Sequence, residues 1–181
     1  MICMTTIHAA AWLIMRTAFG AIETERLLAL LYIADREHAA RHGDLFSACE
    51  RRTGPSGPVH AEMADALIEG QDTLHWSECL EVRADGRMIG IPAGGSRYDL
   101  DHLSDAVIDT LEDVIDTHGS SDMTALSAWM LANCREWRND DQSTVITSRQ
   151  VFRAIGMPGA HDLAERHEDQ QRLTRLLHAL A

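Results

Sequence analysis

Two histidines on one predicted helix are the first residues whose type and spacing could support chemistry. His38 and His42 lie four residues apart, so a helix would bring both imidazoles close enough to share a metal ion, with Asp35 and Glu37 nearby. In the zinc motif His-Glu-x-x-His the glutamate that acts as general base follows the first histidine, whereas Glu37 precedes it here. A metal-dependent enzyme using His38 and His42 is therefore one hypothesis, and an ordinary pair of helix histidines is the favoured one.

Other residue types capable of chemistry do not form a recognisable pattern. His161 and His167 are separated by six residues, which does not align them on one helix face, and we predict a solvated polar face there. The sequence contains no Gly-x-Ser-x-Gly nucleophile turn and no phosphate-binding loop, whose lysine this chain lacks. We therefore predict that the protein is not an enzyme, and that it has no catalytic residue, cofactor or metal.

Trp129 and Trp137 could form a stacking platform or anchor a core. Large aromatic side chains contribute most to the packing of interiors, so core anchors are the favoured interpretation.

The elements that would position these residues are mainly helical. Residues 23–43 are the longest run of helix-forming residues, with Thr24 as a possible cap, Gly43 at the end and an apolar stripe at helical spacing. That stripe consists of Leu27, Leu28, Leu31, Ala34 and His38. We predict that this is the central helix. Further helices are predicted at residues 5–19, 59–68, 101–118, 123–133, 148–155 and 161–180. Asp101 is predicted to cap the helix at 101–118, and Ser121 or Asp122 the helix at 123–133.

A change of periodicity indicates one β-hairpin. Residues 79–83 and 88–91 alternate apolar and polar positions around Asp85 and Gly86, a pair that favours a tight turn. The Gly-Pro-rich segment 54–58 is predicted to be a rigid turn, with Pro58 in the first turn of the helix that follows. The predicted fold class is mainly α: a compact helical domain with a small β-hairpin, covering residues 1–181 and including a helical extension at 145–181.

The helix predicted at residues 101–118 carries a conspicuous acidic face. Its acidic residues are not accompanied by any arginine on the same helix, so the face is either simply solvated or a docking surface for a basic partner. These residues are Asp105, Asp109, Glu112, Asp113 and Asp116.

Composition narrows the classes of function further. Hydrophobic residues make up 45% and charged residues 24% of the chain, as in globular proteins, and the apolar run near the start is too short to span a membrane. With no basic leader before that run, we expect a cytoplasmic protein whose four scattered cysteines are reduced. The net charge of −12 disfavours direct binding of nucleic acid and favours a basic protein partner.

Three blocks of residues resemble a known family. The first block runs through Leu30, Leu31, Tyr32, Ala34, Asp35 and Arg36; the second is Gly57, Pro58 and Val59, with His60 where proline is usual. The third combines the acidic helix with Gly119, the segment 126–129 ending at Trp129, and Trp137. In this order, over about residues 5–139, they resemble the Panacea domain of SocA-like antitoxins.

The resemblance implies a bacterial or phage antitoxin of a type II toxin–antitoxin system that neutralises a protein toxin, encoded adjacently, by direct binding. An alternative is a proteolytic adaptor that delivers a bound toxin to an unfoldase or protease, with residues 161–181 as a free handle. Tyr32, Asp35, Arg36, Gly57, Pro58, Val59, Trp129 and Trp137 would be structural or toxin-binding. We also expect Asp35 and Arg36 to pair and to brace the Gly-Pro-Val turn.

Overall fold

A computed structural model describes residues 2–17, 19–69, 78–83, 87–93, 100–138 and 145–179. The helices are α1 Met4–Met15, α2 Thr24–His42, α3 Ala61–Glu69, α4 Asp105–His118, α5 Met123–Asn133, α6 Ser148–Ala154 and α7 Ala160–Ala179, with a 3-10 helix at Arg135–Arg138. The strands are β1 Ala21–Glu23, β2 Arg51–Gly54, β3 Gly57–His60, β4 Glu81–Arg83, β5 Met88–Gly90 and β6 Val145–Ile146. The predicted fold class, mainly α with a small β-hairpin, is confirmed.

The central position of α2 is confirmed, but its burial is wider than one apolar stripe. Ala29, Leu30, Tyr32 and Ile33 are buried together with the predicted stripe, because α1, α4, α5 and β3 pack around the helix. A helix surrounded on all sides needs apolar residues around its whole circumference. Gly43 ends α2 at φ 69°, as predicted, and its N–H donates to the carbonyl of Ala39.

Three predicted helix boundaries are wrong. Thr24 does not cap α2, because the chain enters the helix directly from β1 and the Thr24 N–H donates to the carbonyl of Arg87. Helix α1 ends at Met15 rather than residue 19, where the Thr17 hydroxyl donates to the carbonyl of Ile14. Helix α4 is capped by Ser104 rather than by Asp101, since the Ser104 hydroxyl accepts the N–H of Val107. Of the two caps predicted for α5, Ser121 and Asp122, the structure shows Asp122, whose carboxylate accepts the N–H of Ala125.

The largest error of the sequence analysis concerns residues 51–60. Pro58 and Val59 do not start a helix; they belong to β3, which pairs antiparallel with β2 across the turn Pro55-Ser56. Pro58 is tolerated there because it lies opposite Thr53, at a position that need not donate a hydrogen bond to β2. Helix α3 begins only at Ala61, whose N–H donates to the carbonyl of Glu50.

Two three-stranded antiparallel sheets flank the helices. The predicted hairpin is confirmed as β4 and β5, while β1 adds to the other edge of β5, giving the order β1-β5-β4. The predicted Asp85-Gly86 turn lies outside the described residues. The second sheet has the order β3-β2-β6.

The C-terminal segment has a small core of its own. Ile146, Val151, Phe152 and Ala164 pack with Ala39 of α2 and with Leu45, which attaches α6 and α7 to the central helix. A capping box of Thr147 and Gln150 starts α6. Within the described residues, no helix is both long enough and apolar enough to cross a membrane.

Candidate functional site

Asp35 is the centre of a buried polar network on α2. It is 1% exposed, and its Oδ2 accepts hydrogen bonds from Arg51 Nη2 at 2.7 Å and Arg51 Nε at 3.1 Å. His60 Nε2 lies 3.1 Å from the same oxygen, and the N–H of Ser47 donates to Oδ1 at 3.0 Å. Burial alone would raise the pKa of Asp35, but Arg51 and His60 outweigh it and hold that pKa well below its ordinary range.

The predicted pair between Asp35 and Arg36 is wrong. Successive residues of a helix point in directions about 100° apart, so these two side chains cannot meet. Arg36 instead donates from Nε to Glu136 Oε1 at 3.0 Å and from Nη2 to the carbonyl of Asn133 at 2.8 Å. The hydroxyl of Tyr32 donates to the same Glu136 oxygen at 3.0 Å.

The network joins α2 to the β2–β3 hairpin through Asp35, and to the 3-10 helix through Glu136. Arg51 and His60 face each other across the β2–β3 pair, so one carboxylate on α2 holds both strands. Glu136, 4% exposed, similarly fixes the 3-10 helix that follows α5. Charge-assisted hydrogen bonds of this kind are strong and directional, which orients the hairpin and α5 relative to α2.

An apolar groove of about 290 Å³ adjoins the hairpin formed by β2 and β3. It is lined by Gly57, Pro58 and Val59 of β3 and by residues from α2, α3 and α5. The apolar lining residues from these helices are Leu28, Ala29, Ala64, Ile68, Met123 and Met130. The Gly-Pro-Val block, predicted to be structural or toxin-binding, is therefore part of a concave surface.

The five acidic residues of α4 are not all free. Asp113 pairs with Arg41 of α2, and Glu112 lies 3.6 Å from Arg16, which follows α1. These neutralising partners lie on other elements, so the sequence of α4 alone does not reveal them. Asp105, Asp109 and Asp116 are exposed and make no ion pair within the part of the chain that the structure describes.

Residues 27–138 match the sequence model of a protein family whose description is "Antitoxin SocA-like, Panacea domain". The chain belongs to this family. The matched span is more than half of the chain and contains the complete network of Tyr32, Asp35, Arg36, Arg51, His60 and Glu136. No curated protein and no solved structure matches the chain significantly.

Trp129 and Trp137 are half-buried in this Panacea domain. Trp129 and Trp137 both pack against the main hydrophobic core, and the Trp129 ring meets the His118 ring edge-on at a centroid distance of 4.9 Å. This arrangement fixes α5 to the C-terminal end of α4.

The histidines considered as metal ligands have other partners. His38 is 6% exposed, its Nδ1 lies 3.2 Å from the Thr110 hydroxyl, and its ring stacks obliquely on that of His42 at 4.5 Å. Burial and the neighbouring His42 lower the pKa of His38. No cluster of three or more His, Cys, Asp or Glu side chains with metal-binding geometry occurs among the described residues.

The predicted polar face of α7 is only partly correct. His161 is exposed, but His167 is 4% exposed and lies 3.0 Å from Gln171, which donates to the carbonyl of Ala48. Residues 160–171 are therefore docked on the Panacea domain and are not a free handle. The exposed Leu173 and Leu176 lie beyond this docked part.

Sequence reasoning missed Arg51, His60 and Glu136. Arg51 and Glu136 looked like ordinary charged residues of loops, and His60 fell within the helix predicted at residues 59–68; none of the three belongs to a regular periodic pattern. One sequence signal did point to His60: it stands where proline is usual in the family. A histidine side chain can form a hydrogen bond with a buried carboxylate, whereas a proline side chain cannot.

Gly57, a glycine that lines the groove, has a backbone conformation that other residues rarely adopt. Its φ is 149°, and an added Cβ would lie 2.8 Å from Met130 Sδ. We expect Gly57→Ala to destabilise the Panacea domain by about 1–3 kcal/mol, chiefly from backbone strain, because this φ is essentially confined to glycine whereas the flexible Met130 thioether can shift to make room. Urea unfolding followed by circular dichroism measures this change.

Gly156→Ala is the matched control. Gly156 has φ 76°, close to the left-handed region that other residues do occupy, and an added Cβ would meet nothing within 4 Å, so this variant should lose less stability. Equal losses for the two variants would contradict the larger backbone strain expected at Gly57.

The thiols of Cys3, which is half-buried, and Cys49, which is buried, have pKa values shifted in opposite directions. A hydrogen bond from Cys49 lowers the pKa of Cys3, whereas the same bond and burial raise the pKa of Cys49; Thr6 Oγ1 lies 2.9 Å from Cys3 Sγ. Burial raises the pKa of Cys134 to about 12. At pH 7 we expect iodoacetamide to modify Cys3 at least about tenfold faster than Cys134, because thiolates are the reactive form.

Mass spectrometry of the labelled peptides provides this measurement. Cys49→Ala removes the hydrogen-bond donor and is expected to slow labelling of Cys3 about tenfold. Unchanged labelling in that variant would show that the hydrogen bond does not control the reactivity of Cys3.

Proposed function

We propose that this protein is the antitoxin of a type II toxin–antitoxin system and neutralises a partner toxin by binding it directly. Membership of the antitoxin SocA-like family carries the proposal, because the matched span 27–138 includes the whole buried network and all but one of the residues that line the groove. The network holds the hairpin and α5 against α2, so the groove is already formed before any partner binds. A preformed surface reduces the ordering that accompanies binding.

The acidic face of α4 is a second candidate contact. Asp105, Asp109 and Asp116 are exposed and recur at helical spacing, so they could steer a basic toxin by long-range attraction. Rim charges of this kind change the association rate and its salt dependence more than the affinity. A single basic surface on the toxin could therefore meet this face during encounter without depending on it for tight binding.

A proteolytic adaptor remains the alternative because Leu173 and Leu176 are exposed near the end of α7. An unfoldase could recognise that segment while the Panacea domain holds the toxin. Blocking and delivery both require toxin binding, but they predict opposite fates for the toxin.

Co-expression of the adjacent reading frame tests the proposal. The neighbouring protein is expressed alone and together with this chain from separately inducible promoters, growth is scored, and complexes are recovered through a tag on the chain. Relief of toxicity with a stable complex supports neutralisation by binding. Relief accompanied by loss of the toxin, restored when host proteases are deleted, supports the adaptor; a harmless neighbour that does not co-purify would contradict both.

A further inference from the structure

The groove beside the Gly-Pro-Val block continues into a second, shallower depression. This depression has a volume of about 410 Å³ and shares Ser56 and Met123 with the groove. Ile68, 60% exposed, lies at the groove, and Leu131, 52% exposed, lines the depression. The two concavities thus form one elongated surface with an exposed apolar side chain in each part.

The floor of this surface can adapt its shape. Met123 and Met130 both line the groove, and the absence of a side chain at Gly57 lets the Met130 thioether lie directly over β3. Methionine is unbranched and flexible, so it accommodates apolar groups of different shape at little energetic cost. Such a floor suits partners with different apolar anchors.

The charges around the groove have a preferred sign. Glu25, in the first turn of α2, is exposed, lines the groove and makes no ion pair within the described parts of the chain. The cation in the lining, Arg52, is paired with Asp65. Asp122, the cap of α5, is exposed next to Met123. The rim is therefore net acidic, as is the whole chain.

We propose that this elongated surface binds an apolar segment of the toxin that carries Arg or Lys beside its apolar anchors. The apolar side chains would occupy the groove between Ile68 and Leu131, and a basic residue would pair with Glu25. A polypeptide segment fits better than a small molecule, because a small ligand in the groove would leave Leu131, in the adjoining depression, exposed. This assignment rests on the proposed function and specifies the part of the partner that is recognised.

The test compares three variants of the full chain for binding to the product of the neighbouring reading frame. Ile68→Asp and Leu131→Asp place a charge on the surface, and we expect each to weaken binding at least about tenfold, as for hot-spot residues. Leu173→Asp is the matched control, because Leu173 is 61% exposed but lies on α7. Its dissociation constant should stay within about twofold of the wild-type value.

Charge reversal distinguishes the groove from the acidic face. Glu25→Arg should weaken binding about tenfold or more and reduce its salt dependence, whereas Asp109→Arg on α4 should mainly slow association. Peptides of 15 residues that tile the neighbouring protein provide a second readout. We expect the peptides that bind to combine apolar residues with Arg or Lys, and Ile68→Asp to abolish their binding.

Each outcome decides a different question. Failure of the wild-type chain to bind or neutralise its neighbour would refute the proposed function. Normal rescue with unchanged affinity in Ile68→Asp and Leu131→Asp would refute the groove assignment and leave the proposed function intact. Sedimentation of the isolated chain as a dimer that Ile68→Asp converts to a monomer would assign the surface to a second copy and also overturn this proposal.

Discussion

Replacement of Asp35 by Asn is expected to lower the free energy of unfolding by about 3–5 kcal/mol, the range measured when one partner of a buried ion pair is removed. The side chain of Arg51 is only 2% exposed, and Asp35 is its charged partner. Asparagine preserves the volume but supplies a neutral oxygen to the Arg51 guanidinium. The remaining buried positive charge would then be incompletely compensated, which is the origin of the large effect.

Equilibrium urea unfolding monitored by circular dichroism measures this loss. Asp109→Asn is the matched control, because it makes the same chemical change at an exposed position of α4 and should alter stability by less than about 0.5 kcal/mol. Similar stabilities for the two variants would exclude Asp35 as a major source of stability. A less cooperative transition of Asp35→Asn would indicate that the hairpin detaches before the rest of the domain unfolds.

The ion pair of Asp35 and Arg51 also makes the free energy of unfolding depend on pH. Because folding depresses the pKa of Asp35, its ionised form stabilises the folded state at pH values above its unfolded pKa of 3.8. That contribution declines as the pH falls below this value, since the carboxyl must then be protonated on unfolding but not in the folded state. The stability difference between wild type and Asp35→Asn should therefore shrink toward low pH.

The sequence predicted the helices well because their signals are local. The amphipathic spacing of α4, the Asp122 cap of α5 and the glycine after α2 all act within a few residues, so one pass along the chain detects them. The β4–β5 hairpin was detectable for the same reason. Errors at the start of α2 and the end of α1 arose where strand pairing or a threonine hydroxyl intervened.

Only half of the candidate site could be predicted from the sequence, because its residues are far apart along the chain. Tyr32, Asp35 and Arg36 could be singled out as a block, but their partners Arg51, His60 and Glu136 are separated from them by 16 to 104 residues. The β2 sequence Arg-Arg-Thr-Gly has no alternation of apolar and polar residues. The guanidinium of Arg51 can be buried because Asp35 and the carbonyl of Ser47 accept its hydrogen bonds, and the contact with Asp35 is a tertiary one that no local pattern reveals.

This arrangement connects stability with binding. The polar residues of the first motif block are directed inward, where Asp35 holds the β2–β3 hairpin, while the second block, Gly57, Pro58 and Val59, borders the groove. Damage to the network should therefore weaken the proposed binding of a toxin indirectly, by allowing this hairpin to move. Variants of Ile68 should weaken binding without loss of stability, so the two kinds of effect can be separated experimentally.

Replacement of Glu136 by Gln is expected to destabilise the protein by about 3–5 kcal/mol, because it leaves the buried Arg36 without its countercharge. Arg36 and Tyr32 donate to the same Glu136 oxygen, and the Glu136 side chain is fully buried. Tyr32→Phe removes one uncharged hydrogen-bond donor and should lower the free energy of unfolding by only about 1–2 kcal/mol. The contrast between these two variants separates the effect of charge from that of a single hydrogen bond.

A double-mutant cycle then tests the origin of the Glu136 effect. If an uncompensated charge is responsible, Arg36→Met combined with Glu136→Leu should be less destabilised than Arg36→Met and Glu136→Leu added together, by at least about 1 kcal/mol. Additive losses in urea unfolding would instead mean that the two side chains stabilise the fold independently. The free energy of coupling therefore determines whether the 3-10 helix is held to α2 by this ion pair or by the surrounding apolar packing of Trp137.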